Sequence, residues 1–397
     1  MKNHTTHLTA SSLLLIGFTL FSMFFGAGNL IFPPFLGMQA GSALVPALGG
    51  FLLSAVCFPI LGVAAVAKSD GLPNLAGRVH PVFAFLFTLL IYLCIGPCLA
   101  IPRTASTSFE MAVAPFAGEG AMNNSVVQAL YSAAFFVLAS RLALKPDKLK
   151  DRIGKIMTPI LLILIAVIFA GCIVSLTPAF PEPAVKYASS PALSGFIDGY
   201  QTMDTMAALN FGIIIAININ TLGISKKQDV ARETIKAGII AGIMLILVYS
   251  GTAYVGALTG SMFSQAENGA QTLTLVVRYL FGNTGAVILA LIFFIACLNV
   301  CVGLLCCCSE YFSITFPALS YGKWLALFAA VSFIIANAGL NTILAFSVPV
   351  LSLIYPVALA LILLSFLPGK AGHSVILYRI VISITALYSI LSTAGLI

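Results

Sequence analysis

Three observations predict an all-α polytopic membrane protein of about eleven transmembrane helices. Hydrophobic residues make up 60% of the chain and charged residues only 8%, against about 25% charged in an average soluble domain. Apolar runs long enough to cross about 30 Å of hydrocarbon recur from end to end, separated by short polar loops. Finally, sixteen of the nineteen Lys and Arg fall in alternate loops, as the positive-inside rule requires.

The expected spans lie near 9–38, 43–67, 81–108, 125–143, 156–178, 195–222, 234–258, 284–309, 322–338, 341–367 and 374–396. With the N-terminus in the cytoplasm, the inner loops carry Lys68, Arg78, Arg141, Lys145, Lys226, Lys227, Arg232 and Lys236 among others. The outer side keeps only Arg103, Lys186 and Arg278. An odd number of spans then leaves the C-terminus outside. The loops 109–124 and 179–194 read as external connections, and Ala270–Phe281 as a short amphipathic piece before span eight. The whole of 1–397 reads as one transmembrane domain. The polar first ten residues carry no small-residue cleavage site, so no removable signal peptide is expected.

The net charge of +7 comes from these loops and implies no nucleic-acid partner. All nine cysteines fall in apolar spans, which speaks against a disulfide framework. Adjacent thiols at Cys306–Cys308 diverge on a helix and have no nearby His, so they read as core residues. The four histidines lie in the tail or loops, and no nucleophile–base pair appears, so no enzyme is expected. A channel would need a repeated filter or ring of ligands. No cofactor and no obligate protein partner is expected, only the bilayer and a small solute.

Within span one the chain reads Phe24-Phe25-Gly26-Ala27-Gly28-Asn29-Leu30-Ile31-Phe32-Pro33-Pro34. Gly costs about 1 kcal/mol against Ala in a helix interior, and the prolines remove donors just beyond. Irregular backbone at membrane depth is tolerated only inside protein or beside a wet cavity. The stretch therefore reads either as a binding site at a broken helix or as a small-residue packing face.

Span six supplies a second such place. Asp204 lies nine residues into it, about 14 Å deep at 1.5 Å per residue. An ionisable group there is a functional-site hypothesis by default; its other reading is a side chain that hydrogen-bonds unwound backbone. Spans one and six each open a group of five, and they start on opposite sides. This pattern points to a 5+5 inverted repeat, with 9–178 as the first half, 195–367 as the second and 374–396 as an additional helix. In a broken span one, the N–H groups at Ala27, Gly28 and Asn29 suit a carboxylate. The carbonyls at Ser22 to Phe25 suit an ammonium or a bare alkali cation.

Three stretches carry a resemblance over nearly the whole chain. They are Phe18 to Pro34, Ile95-Gly96-Pro97 with Ala100 to Ala105 and Ser108-Phe109-Glu110, and Asp198 to Asp204. The chain resembles the branched-chain amino acid:cation symporter family, itself similar to the wider leucine-transporter fold. The resemblance implies a bacterial inner-membrane carrier for leucine, isoleucine and valine, with sodium as the coupling ion and alternating access as the mechanism. It implies substrate contacts at Phe25, Gly26, Ala27, Gly28, Tyr200, Thr202, Met203 and Asp204. It implies sodium ligands at Ser22, Phe24, Phe25 and Asn29, with Ala296 and Asn299 from span eight. Val300 and Cys301 stand where sodium-coupled relatives of this fold carry hydroxyls. Proton coupling, or another small neutral apolar amino acid as substrate, therefore stays open. The family's twelfth span is not seen in this chain. Arg103 reads either as an outer gate paired with Glu110 or Asp198, or as a snorkelling side chain.

Overall fold

The computed structural model describes residues 7–114, 124–145, 155–175, 180–263, 266, 268–369, 372, 374–394 and 396. Most of the expected 109–124 loop, and Lys148, Lys150 and Arg152 of the basic inner loop, lie outside them. Every regular element among the described residues is helical. In chain order these are α1 (Ala10–Phe24), α2 (Ala27–Ala40), α3 (Leu44–Leu52), α4 (Phe58–Ser69), α5 (Leu72–Gly77) and α6 (Pro81–Leu93). There follow α7 (Ala100–Ala112), α8 (Asn124–Ala143), α9 (Thr158–Ser175), α10 (Val185–Ala188), α11 (Pro191–Tyr200) and α12 (Asp204–Thr221). The chain ends with α13 (Lys227–Thr259), α14 (Gly269–Thr315), α15 (Tyr321–Ala336), α16 (Leu340–Ser365) and α17 (Val375–Thr393).

Among the described residues, eight helices are long and apolar enough to cross a membrane, or nine when α11 and α12 count as one bent span. The expected eleven is reached only by adding α1 and α15. At 15 and 16 residues, these fall short of the roughly 20 that span a bilayer. The outer helices carry large apolar side chains that face no protein: Leu130, Ile163, Val174 and Ile384 are each more than 60% exposed. Exposure on that scale fits lipid rather than water as the surrounding solvent.

Both predicted interruptions are present. α1 stops at Phe24, Phe25 and Gly26 are extended, and α2 begins at Ala27. α11 and α12 meet at 47° across Gln201–Met203. The break in span one is present, and its Gly26 also serves as a packing contact. A Cβ at Gly26 would come within 2.6 Å of Val300 Cγ2.

Small residues let the broken helices sit deep in the bundle. A Cβ at Gly37 would fall 1.8 Å from the Ala253 carbonyl oxygen, and one at Gly256 2.0 Å from that of Pro34, so α2 and α13 touch backbone to backbone. Gly269 brings α14 equally close to Ile31. On the other side, Gly50 and Gly195 let α3 and α11 meet in the same way. Packing of this closeness replaces the hydrophobic drive that lipid removes.

Two local features lay beyond the sequence pattern. α14 runs for 47 residues with a kink at Gly282, whose φ of +60° and ψ of −150° suit glycine. The expected amphipathic piece at Ala270–Phe281 is the arm of α14 before this kink. Between α6 and α7 the chain passes through a π turn at Cys94–Cys98, where Gly96 leaves helical geometry and Pro97 follows. This reorients α7, and with it Arg103.

Candidate functional site

The two breaks face one another. At the first, the Gly26 amide donates to Asn29 Oδ1 at 3.0 Å. That amide would have served the Ser22 carbonyl in an unbroken helix, so the end of α1 keeps free acceptors. At the second, α11 closes with tight turns: Gln201 N donates to Asp198 O and Met203 N to Tyr200 O. Met203 then takes a left-handed conformation, φ +67°, while 98% buried. For a bulky residue that conformation costs about 1–3 kcal/mol and persists only where the surroundings enforce it.

Asp204, the first residue of α12, is fully enclosed. Its Oδ2 accepts from Asn29 Nδ2 at 2.6 Å and from the Tyr249 hydroxyl at 3.0 Å. Asn29 Nδ2 also donates to the Tyr249 hydroxyl. Asn29, Asp204 and Tyr249 thus form a closed triangle that joins α2, α12 and α13. The reading in which Asp204 hydrogen-bonds unwound backbone is corrected here: its carboxylate binds side chains, those of Asn29 and Tyr249 on two other helices and of Thr202 in the break. Tyr249 was not singled out in the sequence. The span that holds it also carries Ser250, Thr252 and a second phenol, Tyr254, so nothing there marks it out.

Arg103 is likewise not where either sequence reading put it. It is 4% exposed, so it does not snorkel. Its Nη1 donates to Gln201 O at 2.7 Å and its Nη2 to Thr202 O at 3.1 Å. Glu110 lies two helical turns further along α7 and lines a separate cavity with Gln271 and Arg278. Asp198 is held by Lys186 at 2.5 Å and by the Tyr187 hydroxyl. The gate pairing of Arg103 with Glu110 or Asp198 is therefore replaced by a link from α7 to the second break. The reason is the turn at Cys94–Cys98, which aims this face of α7 inward.

Between the breaks lies a small cavity of about 20 Å³, room for roughly one water molecule. Gly26, Ala27, Gly28, Thr202, Met203 and Asp204 line it, as do Phe24, Asn29 and Arg103. Ile95, Ala100, Val300 and Leu304 supply apolar wall, and none of them is among the substrate contacts expected from the sequence. Phe25 and Tyr200 are not part of the lining. Phe25 stacks on Phe21 at 5.1 Å between ring centroids and Tyr200 on Tyr355 at 4.1 Å.

Of the expected cation ligands, Ser22 and Asn299 meet each other outside this cavity. Asn299 Nδ2 donates to Ser22 Oγ at 2.6 Å, and Asn299 Oδ1 is buried without a hydrogen-bond partner. Ala296 is buried one turn before Asn299 on α14. The Asn29 oxygen already accepts from Gly26, which weakens its claim as a cation ligand.

A bilayer-embedded cavity walled by two interrupted helices is transporter architecture, and comparison with known proteins gives the family. Residues 9–396 match the family described as "Branched-chain amino acid transport protein". The chain belongs to this family. It is 39% identical over 385 residues to the branched-chain amino acid permease BraB of Bacillus subtilis (strain 168), covering 97% of this chain and 86% of that protein. It is 42% identical over 361 residues to the branched-chain amino acid transport system 2 carrier protein of Pseudomonas aeruginosa, covering 91% of this chain and 82% of that protein. The permease BrnQ of Lactobacillus delbrueckii subsp. lactis is 40% identical over 394 residues, 98% of this chain and 87% of that protein. In fold, the chain is similar to the Eremococcus coleocola manganese transporter, with a TM-score of 0.66 and 13% identity over 99% of this chain and 90% of that one. This member of the branched-chain family is thus a bacterial integral membrane transporter and not an enzyme.

Proposed function

We propose that this chain is a cation-coupled carrier that takes up leucine, isoleucine and valine across the bacterial inner membrane by alternating access. Family membership and the permease names of its relatives support the substrate class. The observation that carries the site is the opposition of two breaks: free N–H groups at Ala27 and Gly28 on one wall, and the Asp204 carboxylate on the other. A zwitterion has the complementary pair of charges, and the walls formed by Met203, Val300, Leu304 and Ile95 suit a branched aliphatic side chain. The cavity is too small for that side chain as it stands, so binding would require these walls to part. A five-plus-five inverted arrangement of the helices would let the halves rock about the two breaks.

Sodium is the coupling ion this reading favours. Sodium prefers oxygen, and the free carbonyl end of α1, Ser22 Oγ and the unpartnered Asn299 Oδ1 are oxygen atoms. One observation favours a second reading, a proton on Asp204: the carboxylate is buried at the break, and the groups that hydrogen-bond it, Asn29, Tyr249 and Thr202, are all neutral.

Counterflow tests the substrate class without any ion gradient. Proteoliposomes preloaded with unlabelled leucine should draw in labelled leucine, isoleucine and valine. Equal exchange of alanine or glutamate, or no exchange of leucine, would overturn the assignment.

A further inference from the structure

We propose that Arg103 is the ligand for the substrate carboxylate, and that the carbonyls of Gln201 and Thr202 hold its place while the cavity is closed. This inference rests on the amino-acid reading of the cavity and adds a residue to it. Arg103 is 4% exposed and forms part of the cavity wall. Its Nη2 lies flush against the second residue of α2, since a Cβ at Gly28 would be 3.0 Å from it and 3.2 Å from the Thr202 carbonyl oxygen. The Phe32 ring, one turn further along α2, sits 6.0 Å from the guanidinium carbon. The α2 amides and a planar five-donor cation therefore converge on one spot.

The second observation concerns charge. Among the described residues, Arg103 makes no ion pair with a carboxylate. Asp204 lines the same cavity, yet its hydrogen-bond partners there are the neutral Asn29, Tyr249 and Thr202. One buried cation and one buried anion thus face a common space and interact electrostatically across it, while the hydrogen bonds each makes there go to neutral groups. A desolvated charge of that kind favours a charged partner strongly. An amino acid supplies both partners at once: its carboxylate turns to Arg103 and the α2 amides, and its ammonium to Asp204. When Arg103 changes partner it releases Gln201 and Thr202, so the link between α7 and the second break loosens as substrate enters. A residue that merely stapled α7 to that break would be indifferent to whether a ligand carries a carboxylate.

That difference is the test. Binding of leucine and of leucinamide, which lacks the anion, is measured by ligand-induced thermal stabilisation of the full chain. The wild type should prefer leucine by about a hundredfold or more, the scale for a buried charge partner. Arg103→Gln should weaken leucine about a hundredfold and leave leucinamide within about threefold. If Arg103→Gln fails to insert, Arg103→Lys keeps the charge and loses the planar fork; it should lower the ratio by about tenfold. An unchanged leucine-to-leucinamide ratio in the variant that folds would overturn the proposal and leave Arg103 a staple. A wild type that binds neither compound would overturn the amino-acid reading itself.

Discussion

Asn29 on α2 donates to Asp204 on α12 at 2.6 Å, across 175 residues of sequence. This bond ties one interrupted helix to the other, so a change at either break is felt at both. Asp204→Asn keeps the volume and removes the charge that Asn29 and Tyr249 solvate. Hydrogen bonds to a charged group contribute about 1.5–3 kcal/mol, or roughly one to two orders of magnitude in an equilibrium. Leucine counterflow by Asp204→Asn should fall by at least that much, with the protein still inserted in the membrane. Counterflow near the wild-type rate would remove Asp204 from the site.

The closeness of α2 to α13 makes a separate prediction about stability. A Cβ at Gly256 would lie 2.0 Å from the Pro34 carbonyl oxygen, whereas one at Gly49 would meet nothing within 4 Å. Gly256→Ala should destabilise the protein by about 1–3 kcal/mol or more through overpacking. Gly49→Ala should be neutral or stabilising by up to about 1 kcal/mol, because alanine is the better helix former. Thermal unfolding in detergent, with both variants in one series, reads the contrast.

The Ser22–Asn299 pair predicts how the coupling ion is felt. If these oxygens contact sodium, Ser22→Ala and Asn299→Ala should each raise the sodium concentration for half-maximal leucine uptake by about tenfold, the equivalent of one hydrogen-bond partner to a charge. Leucine affinity at saturating sodium should change far less. A loss of leucine affinity with unchanged sodium dependence would assign the pair to packing instead.

Charge placement predicts topology. By the positive-inside rule the basic loops are expected to lie in the cytoplasm, Lys226 with them, and the end of the last helix outside. In a cysteine-free background, Ala394→Cys should react with a membrane-impermeant maleimide in intact spheroplasts, and Lys226→Cys only after lysis. The reverse pattern would invert the orientation.

Both breaks were legible in the sequence because each is written locally. Gly26 and Gly28 in an apolar run weaken a helix wherever they occur, and Asp204 at membrane depth needs a reason to be there. Partners were less legible. That Asn29 faces Asp204, and that Tyr249 closes the triangle, depends on how α2, α12 and α13 pack; no spacing within one helix encodes it. Arg103 was misplaced for the same reason. Its position along the chain suggests an outer helix end, but the turn at Cys94–Cys98 and the non-helical Gly96 rotate it towards Gln201 and Thr202. The number of spans was blurred by α1, which is only the first half of the interrupted span one, and by α15, whose 16 residues sit below what a single helix needs to cross the bilayer.

The central claim is that a cation gradient drives a branched-chain amino acid through the space between these two breaks. Uptake of labelled leucine into proteoliposomes, with an inward sodium gradient and then an inward proton gradient imposed separately, tests it most directly. The account predicts concentrative, saturable uptake under the sodium gradient, suppressed by excess isoleucine or valine. Uptake that neither gradient accelerates, or that does not saturate, would contradict it.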